Sequence, residues 1–501
     1  MALPLRLPPA DGAAIDAAAA AAAARDRALL FRSLTDEVAD VPLAVRGRLP
    51  AWLTGTLVRN GPALFELPSQ QLNHWFDGQA MLHAFAIDGG RVRYTNRFVD
   101  GVAYRANRAA GRLRYREFAT DPCHALFARV KALFVPGAVG GVTDNAAVHV
   151  ARLGAHHAAL TEGALPVTFD PRTLRTLGVV DWDGAAPRGR RAAELVTAHP
   201  HPGGDGTLVN LRVRFARRAR YELFAADARR GTTRTLAALE TAEPAYVHSF
   251  GLTRTTAVVV EGPWTVRPTE LLRDGLVGRT FAESYRWRAG RPTRFRLLDL
   301  DGARPAATCE APPLFVFHHV NAFDDGDAVV CDLVAYPDAS VVDALYLERL
   351  RDATVRVPGG RVQRWRLPRA GGPAELVAEH VPPMELPRVA ASHDGRPYRY
   401  AYGCGASDGG HFLDRVVKLD VAGGGWRAWE SPRCYPGEPV FVPRPGGRHE
   451  DDGVLLTLVL DGAAGRSALV VLDAATMGEV ARAEAPHAVP AGFHGEFWGD
   501  A

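Results

Sequence analysis

The chain has 501 residues, 59 of them basic and 56 acidic, for a formal net charge of +3, and 47% are apolar. That apolar share is ample for a large core, and charges so nearly balanced argue against the basic face with which a protein grips nucleic acid. Five widely spaced cysteines, Cys123, Cys309, Cys331, Cys404 and Cys434, form no CxxC pair, which fits a reducing compartment better than a disulfide-built secreted fold.

Residues 1–30 are alanine-rich, with eight consecutive alanines at 17–24. Alanine favours helix, but a face of methyl groups buries little surface. This stretch is therefore expected to be a candidate disordered extension, with one folded domain running from 31 to 501. No basic region leads into an apolar segment with a cleavage site, and no apolar run reaches the ~18 residues that span a bilayer. A cytoplasmic location is the expectation.

From Phe31 onward the text alternates short β-branched or aromatic runs with Gly, Asp and Pro. TGTLVRNG, RVRYTNRFV, TAVVVEG, DAVVCDLVAY, VLLTLVLDG and SALVVLDAAT all read as strands. Fifty glycines and 36 prolines supply turns for many of them. Helical periodicity is sparse: residues 124–134 and 342–353 are the best candidates. Many short strands with few helices imply a sandwich, a barrel or a propeller, and the lack of an evident linker favours one large closed object.

Four of the 17 histidines stand at or near the ends of apolar runs, beside turn residues: His199, His248, His318 and His494. Their separations are nothing like a zinc finger or an HExxH helix, so they meet only if the chain circles an axis. Two readings stay open at this point. One is four neutral imidazoles on a divalent metal; the other is four unrelated buried histidines satisfied by backbone carbonyls. Glu162, Glu385 and Glu438 lie in mostly apolar or Pro/Gly settings, where an unpaired charge is costly and a partner is expected. A ligating histidine usually donates its second ring N–H to such a group, although Glu438 also suits a turn carboxylate capping amides. In FVFHHVNAFDDGD, residues 315–327, adjacent side chains of a strand point to opposite faces, so His318 and His319 do not share one site. No GxSxG elbow, P-loop or dinucleotide fingerprint is present.

The motifs GTLVRNGPALFE, HWFDGQAMLHAF, VTDNAAVHV, TAHPH, YVHSFGLT, FHHVNAFDDGD, RPYRYAYG, YPGEPVFV, EDDGVLLTLVL and FHGEF together resemble the carotenoid cleavage oxygenases. The likeness runs from about Leu34 to the C-terminus and is nearest to the branch of the animal β-carotene oxygenases and retinoid isomerohydrolase, with their bacterial relatives. It implies a seven-bladed β-propeller with a cap of helices and loops over the metal. It also implies one Fe(2+) per chain, held by His199, His248, His318 and His494, with dioxygen as co-substrate. Glu162, Glu385 and Glu438 would support His248, His318 and His494, leaving His199 without a carboxylate and His319 and His201 to structure. Thr161 matches the position whose methyl crowds one coordination site. Phe65, Tyr246 and Phe317 would wall a tunnel for a hydrophobic polyene.

The activity implied is cleavage of a C=C double bond of a carotenoid or apocarotenoid to two carbonyl products, with central 15,15′ cleavage to retinal expected. The rivals are a retinoid isomerase, a stilbenoid-cleaving dioxygenase and a metal-free binding propeller. A lipid-borne substrate implies peripheral membrane contact through residues 124–137, where Leu126, Phe127, Val130, Leu133 and Phe134 share one helical face. A core-packed cap helix is the equal alternative for that segment. Cys123 matches an acylated position, but Val334 and Ala335 stand where the animal isomerohydrolase has two cysteines. No protein partner is evident.

Overall fold

The computed structural model describes residues 17–122, 143–163, 165–180, 182, 194–203, 206–302, 304–407 and 410–499. The membrane-contact segment 124–137 and Cys123 lie outside the described residues. No helix among the described residues is long and apolar enough to cross a membrane.

The apolar runs form antiparallel meanders whose sheets circle an axis, and the fold is an all-β propeller. The expected count of seven separate blades is corrected. The described residues form five discrete blade sheets of four or five strands, with the remaining long strands in one continuous ten-stranded sheet. The cause is strand Val38–Gly47, which serves two ladders in succession. Residues 38–43 pair antiparallel with Arg91–Phe98 and residues 44–47 with Glu479–Glu484, so this one strand links the ladders of the two ends of the chain. The C-terminal strand Gly495–Gly499 joins the same sheet beside Gly55–Leu64, with Gly495 opposite Arg59. Closing the sheet in this way leaves fewer exposed strand edges.

The first strands of several meanders touch one another across neighbouring sheets: Gly251–Leu252 meets Phe315–Asp325, which meets Glu385–Arg388, and His149–Leu153 meets Gly55–Leu64 and Gly495–Gly499. Those strands carry the polar residues. His149 opens His149–Leu153, His318 sits in Phe315–Asp325, Glu385 opens Glu385–Arg388, and His494 immediately precedes Gly495–Gly499. The next strand outward is wholly buried in this blade, all nine residues of Ala328–Tyr336 including Asp332, whereas the outermost strand Glu375–Glu379 is largely exposed.

Short helices stand outside the sheets and form the cap. The expected helix at 342–353 is broken into Ser340–Ala344 and Leu347–Arg351. Between them Tyr346 is extended and bridges His74, and the Leu347 N–H donates to the Asn73 carbonyl. A tertiary hydrogen bond here outweighs one turn of local helix. The chain also enters the fold earlier than the boundary at Phe31. Helix Ala17–Leu30 buries Asp26 and Arg27; Asp26 accepts from Arg433, and the Arg27 Nε donates to the Leu350 carbonyl at 2.6 Å. Its anchors lie at the C-terminal end, where Asp26, Arg27 and Leu30 are buried.

Candidate metal centre

His199, His248, His318 and His494 converge, and one ring nitrogen of each lies within 4.8 Å of all the others. His318 reaches this point through a bulge. Val316 pairs with Ala335 but His319 pairs with Leu333, so one extra residue is inserted at Phe317 and His318. A bulge re-aims side chains that regular alternation would send elsewhere. His319 turns aside to Ser249, whose Oγ lies 2.9 Å from its Nδ1. His201 is likewise spent, between Asp394 at 3.1 Å and the Phe250 carbonyl at 3.1 Å.

Three of the four histidines rest on carboxylates through Nδ1. His248 donates to Glu162 at 2.5 Å, His318 to Glu385 at 2.6 Å and His494 to Glu438 at 2.8 Å. Each carboxylate is held by a further donor. The Tyr246 hydroxyl donates to Glu162 at 2.5 Å and the Tyr336 hydroxyl to Glu385 at 2.8 Å, while Arg59 forms a buried ion pair with Glu438 at 2.7 Å. Among the described residues no carboxylate bonds to His199.

Burial, and then the other imidazoles, hold His199 and His494 well below the usual histidine range, and burial lowers His248 despite the opposing pull of Glu162. Burial alone would raise the Glu385 carboxyl. His318, the Leu386 N–H and the Tyr336 hydroxyl outweigh it and bring the group below its ordinary value.

With Nδ1–H spent on a carboxylate, the Nε2 of a neutral imidazole carries a bare lone pair. The Nε2 atoms of His318 and His494 face each other at 3.2 Å, and those of His199 and His248 at 3.0 Å. Across the His318–His494 pair no proton is left to share, so the contact is repulsive unless a cation lies between. The donor set therefore fits a divalent metal that accepts imidazole nitrogen.

Aromatic rings cover this centre. Phe317 lies 5.7 Å from His248 and 6.0 Å from Phe76 of the cap, and Tyr246 lies 6.3 Å from Phe317. Phe65 is buried in the same apolar cluster but faces Gly78, and among the described residues it makes no ring contact with the histidines. Thr161 lines a cavity on the His199 side with Thr197 and Pro200, and no hydrogen bond joins it to a histidine.

Sequence reasoning missed Arg59, Tyr336, Arg388, Glu496 and His149. His149 is buried, with its ring 5.5 Å from His199 and 5.2 Å from His494. The available signal was its place at the start of an apolar strand, the same setting that marked the four convergent histidines.

A propeller whose strand ends present four convergent imidazoles, three of them on carboxylates, under an aromatic cover has a candidate metal centre in an apolar setting. The chain belongs to the carotenoid oxygenase family: the sequence model described as "Retinal pigment epithelial membrane protein" matches residues 31–499. It is similar to the carotenoid isomerooxygenase of Galleria mellonella, at 34% identity over 94% of this chain and 96% of that protein. The mitochondrial carotenoid-cleaving dioxygenase of Macaca fascicularis is 31% identical over 93% of this chain and 94% of its own length. The β,β-carotene 15,15′-dioxygenase of Rattus norvegicus is 29% identical over 94% and 91%. Among solved structures, the cobalt-substituted Synechocystis apocarotenoid oxygenase superposes with a TM-score of 0.81 at 27% identity, covering 95% of this chain and 99% of that one. The chain is thus an enzyme of the carotenoid-cleaving dioxygenase kind.

Proposed function

We propose that this enzyme uses iron(II) and dioxygen to cleave one C=C bond of a carotenoid or apocarotenoid, with central 15,15′ cleavage giving retinal as its specific activity. The observation that carries the reading is the convergence of four imidazole nitrogens, with the Nε2 lone pairs of His318 and His494 facing each other. His199, His248, His318 and His494 would hold the iron, which when bound supplies the binding and activation of dioxygen.

The chain's own residues do the rest. Glu162, Glu385 and Glu438 are occupied with histidines, so none of the three is free to act as acid or base, and the reaction asks for neither. The double bond is broken, each of its carbons takes one oxygen atom of the same dioxygen molecule, and no proton is gained or lost. Phe317, Tyr246 and Phe76 exclude water and set which bond of the polyene lies over the centre. Central cleavage is favoured by the names of the Rattus relative and its mammalian counterparts.

The test is iron-loaded protein incubated with β-carotene and with an apocarotenal in detergent, with and without oxygen, the products resolved by chromatography and mass spectrometry. Oxygen-dependent retinal supports the proposal. Aldehydes of other lengths keep the enzyme and overturn the bond assignment. The Galleria relative's name joins isomerisation to oxygenation, so the cis or trans geometry of each product is scored in the same run.

A further inference from the structure

We infer that His149 is the positioning residue of His199, doing through the backbone what a carboxylate does for each of the other three histidines. The inference rests on the metal-site reading above. His149 Nδ1 donates to the carbonyl of Ala198, the residue just before His199, at 3.0 Å. Its Nε2 lies 3.3 Å from Glu496 Oε1 without a hydrogen bond, and that carboxylate is anchored by Arg388 at 2.7 Å. The Arg388–Glu496 pair therefore packs behind His149, whose hydrogen bond to the Ala198 carbonyl is the link to the peptide that carries His199.

The same imidazole also packs against a second member of the centre, His494. Its ring meets His199 at 5.5 Å with a 30° tilt and His494 at 5.2 Å nearly edge-on. The backbone around it is tied down as well. The His149 carbonyl accepts from Asn60 Nδ2 at 2.9 Å, and the Val148 carbonyl accepts from the His494 N–H at 3.2 Å. His149 is 6% exposed, so its hydrogen bonds do not compete with bulk water. A ligand whose ring lacks its own acceptor needs its backbone fixed, because partners beyond the ligands set both orientation and affinity.

The test uses cobalt(II) as probe on metal-stripped full-length protein, reading affinity by chelator competition, the visible spectrum of the bound ion, and thermal melting. His149→Phe keeps a ring of similar size but removes the donor; it is expected to weaken cobalt binding about tenfold to hundredfold and to shift the spectrum. His149→Asn retains an N–H within reach of the Ala198 carbonyl and is expected to restore most of the affinity and the wild-type spectrum. Wild-type affinity and spectrum in His149→Phe overturn the inference, as does equal impairment of the Phe and Asn variants. If His149→Phe does not fold, Glu496→Gln decides: weaker cobalt binding at an unchanged melting temperature supports the inference, and unchanged binding overturns it. Failure of the wild-type protein to take up cobalt overturns the metal-site reading itself and this inference with it, which separates the two.

Discussion

His74 beneath the cap and His318 on the axis are both buried, yet they spend their ring nitrogens in opposite ways. His74 Nδ1 accepts from the Phe76 N–H at 3.1 Å and its Nε2 donates to the Val342 carbonyl at 3.0 Å, so the backbone consumes both nitrogens. His318 gives Nδ1–H to Glu385 and turns Nε2 toward His494, which offers only another lone pair. Burial and residue type are shared. What suits one to be a ligand is an acceptor behind the ring and nothing but other imidazoles in front of it.

The largest test of this contrast is a pair of substitutions. His248→Ala should abolish iron binding and product formation together, whereas His74→Gln should retain about one iron per chain; metal analysis and product chromatography read both. Loss of iron in His74→Gln would break the contrast. Next comes Arg59→Met, which takes from the fully buried Glu438 carboxylate its hydrogen-bonded cation and leaves only Arg388, at 3.9 Å. Breaking one side of a buried pair costs about 3–5 kcal/mol, and denaturant titration should show that loss relative to wild type.

The cap histidine makes its own prediction about pH. Burial lowers His74 from 6.5 to about 4, only partly opposed by its bond to Val342. The folded protein keeps this ring neutral while the unfolded chain protonates it, so the stabilisation is complete above pH 6.5 and is lost as pH falls toward 4. The drop is about 3 kcal/mol. Denaturation of wild type and His74→Gln across that range isolates it, because the variant should show a correspondingly shallower slope. The smallest effect sharpens the contrast from the other side. Glu385→Gln keeps an acceptor for His318 but removes the charge, and metal affinity should fall about tenfold to hundredfold, measured by chelator competition.

Much of the centre was legible because polar residues interrupted apolar runs. His199, His248, His318 and His494 broke strand-like segments at their ends, and Glu162, Glu385 and Glu438 sat where a lone charge is costly. All seven occupy the centre. His149 carried the same mark and was passed over, because nothing in VTDNAAVHV says that its strand touches the one behind His494. The other misses have one cause. Blade count depended on whether Val38–Gly47 serves one ladder or two, and the break at Tyr346 depended on the bond from Leu347 to Asn73, far earlier in the chain.

Local sequence thus determined the all-β class, the axial placement of polar strand ends, and the family, since period-two patterning, turn residues and motifs are properties of neighbours in the chain. Tertiary structure alone decided which nitrogen of each histidine faces the centre, the bulge that aims His318, the Arg388–Glu496 pair and His149 behind His199, and the merging of the two chain ends into one sheet. Each of these depends on hydrogen bonds between residues far apart in sequence, whose meeting no local pattern encodes.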